Sequence, residues 1–312
     1  MTCSIIIRAF NEEKHLKRLL DGIQKQSLST EVEIILVDSG STDRTVSIAN
    51  AYHVNIVHIK PEDFSFGRAL NMGCSVAKGE FLIFASAHVY PVYTDWISRL
   101  LQPFKDPKVA LVYGRQTGNG ESKYSEIQLF KKWFPVNSNY NQEHPFCNNA
   151  NAAIRKSLWT EQPYDENLTG LEDLDWANKI LKLGYKLAYE AKATIVHIHE
   201  ETPKKILNRY YREAIAIKNI FPNQKFSFFD FVWLSCSHII IDYIFSIKDK
   251  VFLKNLIQIP TFRILQFWGT YKGYRVKNGI SFTLKKRFYY PKNFLYKFTD
   301  QEEEQQLIEY HQ

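Results

Sequence analysis

Short unbroken apolar runs, separated by amphipathic stretches, set the pattern of the first half of the chain. Ile34-Ile35-Leu36-Val37 ends in Asp38, followed by Ser39-Gly40-Ser41-Thr42-Asp43 and the start of a helical pattern. A continuous β-branched run suits a strand buried on both faces, as in a parallel sheet. The same reading predicts strands at 4–7, 33–37, 54–59, 81–84 and 110–113, with helices at 14–26, 43–52, 67–77 and 95–103 between them. In the first helix Leu16, Leu19, Leu20 and Ile23 share one face, opposite Lys14, Lys17, Arg18 and Asp21. Strands and helices alternating at these lengths predict an α/β fold, a mostly parallel sheet flanked by helices.

Beyond residue 115 the pattern changes. Residues 116–150 are polar, Asn-rich and aromatic, and read as an extended surface crossing the end of the sheet. A helix is predicted at 171–183, then strands at 186–190 and 194–199. From Lys204 onward the chain reads as basic and helical, then strongly aromatic, which divides it into a sheet domain, 1–202, and a C-terminal helical extension, 203–312. The run 226–247 is about as long as a membrane span, but Asp230 and Asp242 interrupt it. Its Lys-rich, Trp- and Tyr-bearing flanks suit helices lying in a membrane interface. The alternative is a buried helix pair packed on the first domain.

With 312 residues, 45% of them hydrophobic and 15% aromatic, the chain can build a sizeable core. Cys3, Cys74, Cys147 and Cys236 are widely spaced and form neither a zinc pattern nor a disulfide framework, so reduced thiols in the cytosol are expected. Thr2-Cys3-Ser4 leads straight into the first strand pattern, so no secretory leader is expected. The net charge of +7 is uneven: positions 203–299 hold 18 Lys and Arg against 4 Asp and Glu, and the tail from Asp300 holds five acids. Such a basic segment suits nucleic acid, anionic lipid or a phosphorylated substrate, and charge alone does not choose among them.

Acids and small polar residues gather where the predicted strands end. Ligands of open α/β sheets bind beyond those carboxyl ends. Asp38 is placed there to accept hydrogen bonds from a nucleoside, although Asp38 or Asp43 can also cap the following helix. In order, the blocks are Arg8-Ala9-Phe10-Asn11-Glu12-Glu13, Val37-Asp38-Ser39-Gly40-Ser41-Thr42-Asp43, Phe66-Gly67-Arg68-Ala69-Leu70-Asn71-Met72-Gly73, Ala77-Lys78-Gly79-Glu80-Phe81-Leu82-Ile83-Phe84 and Gly170-Leu171-Glu172-Asp173-Leu174-Asp175-Trp176. In this order and spacing, over about residues 3–200, the chain resembles the family 2 inverting glycosyltransferases, whose fold is the Rossmann-like GT-A fold.

That resemblance implies transfer of a sugar from a nucleotide-activated donor. It implies that Arg8, Phe10, Glu12 and Asp38 hold the nucleotide, and Arg68 is suitably placed to meet phosphate through its guanidinium. It implies a catalytic base in Glu172-Asp173, since inversion needs a carboxylate to take the acceptor hydroxyl's proton. Asp173 is the expected base and Glu172 the runner-up; Thr169 or the acids themselves capping a helix is the structural alternative. Cys147–Arg155 has the look of the family's acceptor-side strand, where Asn149 and Asn151 would read sugar hydroxyls and Trp133, Trp159 or Trp176 would stack on a pyranose.

The chain departs from the family after the fourth strand. Where Asp-x-Asp normally bridges the donor diphosphate through Mg²⁺ or Mn²⁺, it reads Ser86-Ala87-His88. Two readings stay open. Either a metal is held by His88 with His197 or His199, or there is no metal, and Ser86 and a cationic His88 meet the leaving phosphate directly. The second reading favours a CMP-linked donor, whose monophosphate leaves with less charge. His197 and His199 share one face of an alternating strand end.

The expected function is inverting transfer of a sugar to a glycan or lipid-linked acceptor, in surface polysaccharide synthesis such as lipopolysaccharide or capsule. The expected location is cytoplasmic, peripheral at the inner face of the cell membrane. The expected partners are a nucleotide-sugar donor, the acceptor and an anionic membrane surface, with no nucleic acid. A sugar nucleotidyltransferase is the rival enzyme class, and it lacks the Gly-rich phosphate loop it would need near the start. A non-catalytic glycan- or membrane-binding homologue is the other rival, opposed by the intact Glu172-Asp173.

Overall fold

A computed structural model of the chain describes residues 1–27, 32–276 and 307–310. Among these residues the strands form one mixed sheet. Its first half is parallel: β3 (Asn55–His58), β2 (Glu33–Asp38), β1 (Cys3–Ala9) and β4 (Phe81–Ser86) lie side by side in that order. The order continues with β8 (Asn151–Arg155), β6 (Val109–Thr117), β9 (Lys186–His197) and β5 (Val89–Pro91), and β7 (Asn139–Gln142) also pairs with β9. In this second half β6 and β9 are parallel, whereas β8, β5 and β7 run antiparallel to their neighbours.

The apolar runs are continuous because both faces of the sheet are covered. Ile5, Ile7 and Leu36 face one core, and Ile6, Ile35 and Val37 face the other, as the two-residue repeat of a strand requires. Against the first core pack α1 (Leu16–Gln24), α2 (Thr45–Ala51) and α4 (Trp96–Leu101). Against the second pack α3 (Phe66–Val76), α6 (Lys156–Glu161) and α7 (Glu172–Lys182). Each of the five strands predicted up to residue 113 is present, lengthened by one to several residues or trimmed at its ends.

Two expectations need correction. The stretch 116–150 is not wholly extended, since it contains α5 (Tyr124–Trp133), which buries Tyr124 and Phe130 and continues to a buried Phe134. The Lys and Gln between these residues mask the helical repeat when the segment is read for polarity. The strands predicted at 186–190 and 194–199 are one strand, β9, with a register shift where it passes from Gly114 to Gln116 of β6.

The C-terminal helices are α8 (Pro203–Ile220), α9 (Phe228–Lys248), α10 (Phe252–Asn255) and α11 (Gln258–Arg275). Helix α11 packs on α8, α9 and α5, so these helices rest on the sheet domain through α5. Both acids within the 226–247 run have structural partners. Asp230 closes a capping box with Ser227 at the start of α9. Asp242 is buried and grips Arg263 of α11 through both oxygens, at 2.7 and 2.9 Å, while also accepting from Ser125 of α5 at 2.6 Å. Of the basic segment expected at 203–299, positions 277–299 lie outside the described residues, as do positions 300–306 of the acidic tail.

Removing one member of a buried ion pair strands the other, at a cost of about 3–5 kcal/mol. Arg263→Met is therefore expected to lower unfolding free energy by that order in urea titration. Arg263→Met combined with Asp242→Leu should recover much of the loss.

Candidate active site

At the carboxyl ends of β1, β2 and β4 lies a cavity of about 350 Å³. Arg8, Phe10, Glu12, Ser86, His88, Asn149, Glu172, Asp173, His197 and His199 all line it, so most of the residues marked in the sequence meet in one place. Ser39 lines it as well, next to Asp38.

The acids at the start of α7 are presented by an unusual turn. Gly170 has φ 153° and Leu171, the N-cap residue, lies in the left-handed region at φ 56°. No side chain caps the helix; Thr169 instead donates its hydroxyl to the Arg212 carbonyl at 2.9 Å. Glu172 is held by Arg8 at 3.0 Å. Asp173 accepts backbone N–H groups from Asn149 at 2.9 Å and Leu174 at 2.8 Å. Burial, with the charge of Glu172 second, pushes the Asp173 carboxyl up from 3.8 to about 7, although those backbone donors oppose the shift. Asp175 turns to Lys179 at 2.7 Å, an i,i+4 pair on the helix surface. Of the three acids, then, one is paired by Arg8, one is a buried carboxyl with raised pKa, and one braces the helix.

Three histidines converge beside these acids. Antiparallel pairing of β5 with β9 sets Val89 against His197, so the preceding His88 falls beside both His197 and His199. Ring centroids are 4.0 Å apart for His197–His199, 5.1 Å for His88–His197 and 5.7 Å for His88–His199. One ring nitrogen from each lies within 4.8 Å of the other two. Each Nδ1 faces an oxygen acceptor: Glu12 at 2.8 Å, Gln116 at 2.7 Å and Glu126 at 2.7 Å for His88, His197 and His199 respectively. Carboxylate and amide oxygens only accept, so each Nδ1 carries a proton, which leaves Nε2 as the nitrogen open to a ligand. Nε2 of His197 is buried without a partner. Burial drives the basicity of His197 and His199 well below the usual histidine range. Three imidazole nitrogens that converge in this way fit a divalent ion, so the sequence reading that gave His88 a metal partner in His197 or His199 extends to both.

Three expectations are corrected here, for Arg68, Asn151 and the stacking tryptophans. Arg68 does not line the cavity; it is exposed on α3 and bound to Glu166 at 2.8 Å and to the Asp63 carbonyl. Asn151 is buried in β8, accepting from Trp96 and donating to the carbonyls of Arg115 and Ala193, so its amide braces the sheet. Trp176 lies in the core, its indole N–H on the Gln162 carbonyl at 2.6 Å. Trp133 and Trp159 also pack on that core, and the aromatic lining of the cavity is Phe10, Phe64 and Phe66. Asp38 is nearly buried, its carboxylate accepting N–H groups of Gly40 and Ser41 at 3.2 Å, which shapes the loop that carries Ser39.

Reading by motif missed the contribution of α8. Arg209, Arg212 and Glu213 line the cavity from that helix, with Glu201 just before it. Arg209 joins Glu126 at 3.0 Å and Glu201 at 2.6 Å, and Arg212 lies 4.6 Å from the ring of Phe66, which Arg8 also approaches, at 4.9 Å. Their i, i+3, i+4 spacing was the available signal, since it puts all three on one helical face.

Comparison with known proteins agrees with this geometry. The family model described as glycosyl transferase family 2 matches residues 4–161. The O-antigen chain rhamnosyltransferase RfbN of Salmonella typhimurium is 30% identical, over 69% of this chain and 72% of that one. The O-antigen chain rhamnosyltransferase WbaN of Salmonella anatum is also 30% identical, over 62% of this chain and 65% of that one. In structure, a mannosyltransferase from Pyrobaculum calidifontis, solved with GDP-Man and Mn²⁺, aligns with a TM-score of 0.58 at 16% identity, over 87% of this chain and 84% of that one. The fold is thus GT-A, and the chain belongs to glycosyl transferase family 2. It is a glycosyltransferase.

The turn before α7 offers a test that needs no substrate. A Cβ on Gly170 would meet nothing within 4 Å, so only its backbone conformation disfavours a side chain. Gly170→Ala is therefore expected to cost about 1–3 kcal/mol in chemical denaturation, the range for a residue held in a Gly-only region.

Proposed function

We propose that this glycosyltransferase inverts configuration at the anomeric carbon, with Asp173 as the base and a nucleoside-diphosphate sugar as donor. The observation that carries the reading is the division of labour at the start of α7. Arg8 neutralises Glu172, while Asp173 faces the cavity as a buried carboxyl with raised proton affinity. A base works best with a pKa near the working pH. The acceptor hydroxyl gives its proton to Asp173 as its oxygen bonds to the anomeric carbon, and the bond from that carbon to the diphosphate breaks. Arg209 and Arg212 face the charge that leaves. A divalent ion held by the histidines would supply further stabilisation of the departing diphosphate.

The donor reading turns on the histidines. A metal-free CMP-sugar transferase would want imidazolium here. Two rings with centroids 4.0 Å apart, one of them buried with its Nδ1 on a neutral amide, oppose being charged together. The metal-free reading then rests on His88 alone, which is already paired with Glu12, and that supports a diphosphate donor over a CMP-linked one. Phe10 and the Asp38–Ser39 loop are the groups we assign to the nucleoside.

For the acceptor we propose a growing surface glycan carried on lipid, in keeping with the names of the two Salmonella relatives. Helix α9 is long and apolar enough to cross a membrane. We read it as lying on an anionic surface, because one side is pinned to α11 and α5 through Asp242 while Phe229 and Trp233 on the helix are 74% and 60% exposed. The Lys and Arg excess of this region supplies the matching charge.

Two measurements check these readings. Asp173→Asn is expected to lower turnover about 100-fold or more with donor affinity little changed. In the parent enzyme kcat/KM should fall as pH drops through about 7, because the base must be ionised, and the Asn variant should lack that limb. Near-normal turnover in the variant would move the assignment to Glu172. For the membrane, sedimentation with vesicles should require anionic lipid, weaken in high salt and drop in a Phe229→Glu, Trp233→Glu double variant. Pelleting that ignores both changes would reject the surface.

A further inference from the structure

We propose that His88, His197 and His199 form an all-imidazole site for a borderline first-row divalent ion of the Zn²⁺ or Co²⁺ class, and that this site discriminates against Mg²⁺. The proposal deepens the donor-site reading given above and rests on it only for what the ion would meet.

Among the described residues this is the only group of three or more His, Cys, Asp or Glu side chains whose ligand atoms converge. The donors are nitrogens. Imidazole suits Zn²⁺, Co²⁺ and their neighbours, whereas Mg²⁺ requires oxygen ligands in near-octahedral array. Carboxylates are present in the cavity, and all but Glu213 are committed elsewhere. Glu12 receives His88 Nδ1, Glu172 receives Arg8, Asp173 receives two backbone N–H groups, and Glu201 receives Arg209. Among the described residues no pair of free carboxylates remains beside the rings to replace Asp-x-Asp.

The surroundings of each ring point the same way. A metal-binding histidine generally donates its second ring N–H to a carboxylate or carbonyl, which fixes the tautomer and raises the basicity of the ligating nitrogen. All three rings have such an acceptor on Nδ1, supplied by Glu12, Gln116 and Glu126 from three different elements. A cluster kept for packing alone has no need of three outer acceptors, nor of a buried Nε2 with no partner at its centre. All three rings also line the cavity, so three protein ligands would leave coordination positions open toward it.

Ion binding is measurable without any donor. The full chain, stripped with a chelator, is titrated with Co²⁺ and followed by visible absorption, with Zn²⁺ retention measured by equilibrium dialysis and metal analysis. A single equivalent is expected, and millimolar Mg²⁺ should not displace it. His88→Ala, at a partly exposed position, should weaken binding about 100-fold or more, and Glu12→Gln by about 10–100-fold. Unchanged circular dichroism would establish that both variants fold. Displacement of Co²⁺ by comparable Mg²⁺, failure to retain either ion, or full-affinity binding in His88→Ala, which would put the ion elsewhere, each overturns the proposal. Intact ion binding in a protein that transfers no sugar would reject the functional reading alone. Sugar transfer by a chain that binds neither Co²⁺ nor Zn²⁺ would reject the metal site alone.

Discussion

The guanidinium of Arg8 holds the carboxylate of Glu172 at 3.0 Å, joining the end of the first strand to a helix 164 residues further along. Glu172 is almost fully buried, and a buried carboxylate without a partner would be costly, so the helix start and the strand end must meet. The same arginine lies over Phe66, and Phe66 also receives Arg212 from the C-terminal helices. Charge compensation therefore runs through the cavity wall from the sheet to α8. With Glu172 satisfied, Asp173 is left as the carboxyl of this pair whose proton affinity is raised by burial, and the turn at Gly170 and Leu171 presents both acids to the space where strands β1, β2 and β4 end.

A second constraint acts on the other wall. The pairing of the short strand β5 with the end of β9 sets the register that brings His88 against His197 and His199. Each ring is then held from outside: Glu12 comes from the loop after β1, Gln116 from β6 and Glu126 from α5. Glu126 also joins Arg209, so the histidines and the arginines of α8 share one buried carboxylate. These contacts form one polar network along that wall.

The C-terminal helices serve two surfaces at once. Their inner side contributes Arg209, Arg212 and Glu213 to the cavity and is fastened to α5 by Asp242, Arg263 and Ser125. The outer side of α9 leaves Phe229, Trp233, Ile240 and Ile247 exposed. An acid inside an apolar run reads as an obstacle to membrane insertion; here Asp242 is the point at which the helix is tied to the protein, which leaves the opposite face apolar without contradiction.

The sheet, its covering helices and the acidic motif at Glu172-Asp173 were legible in the chain because each depends on short-range pattern. Apolar periodicity reports which positions a strand or helix must bury, and Ile34 to Val37 reads as two-faced because two helical layers cover it. Motif order also brought Arg8, Glu12, His88 and Asp173 to one cavity. What the pattern could not carry is where a polar side chain turns once it is there. Arg68, Asn151 and Trp176 stand in or beside the right motifs yet serve Glu166, the β-sheet and the core, because helix phase and strand register aim them away from the cavity. Helix α5 was hidden by its polar composition, since its apolar face is needed only once the sheet and α11 exist to receive it. The convergence of three histidines and the entry of α8 are decided by contacts between segments far apart in the chain. Such contacts follow from how whole elements pack, and no local run of residues encodes them.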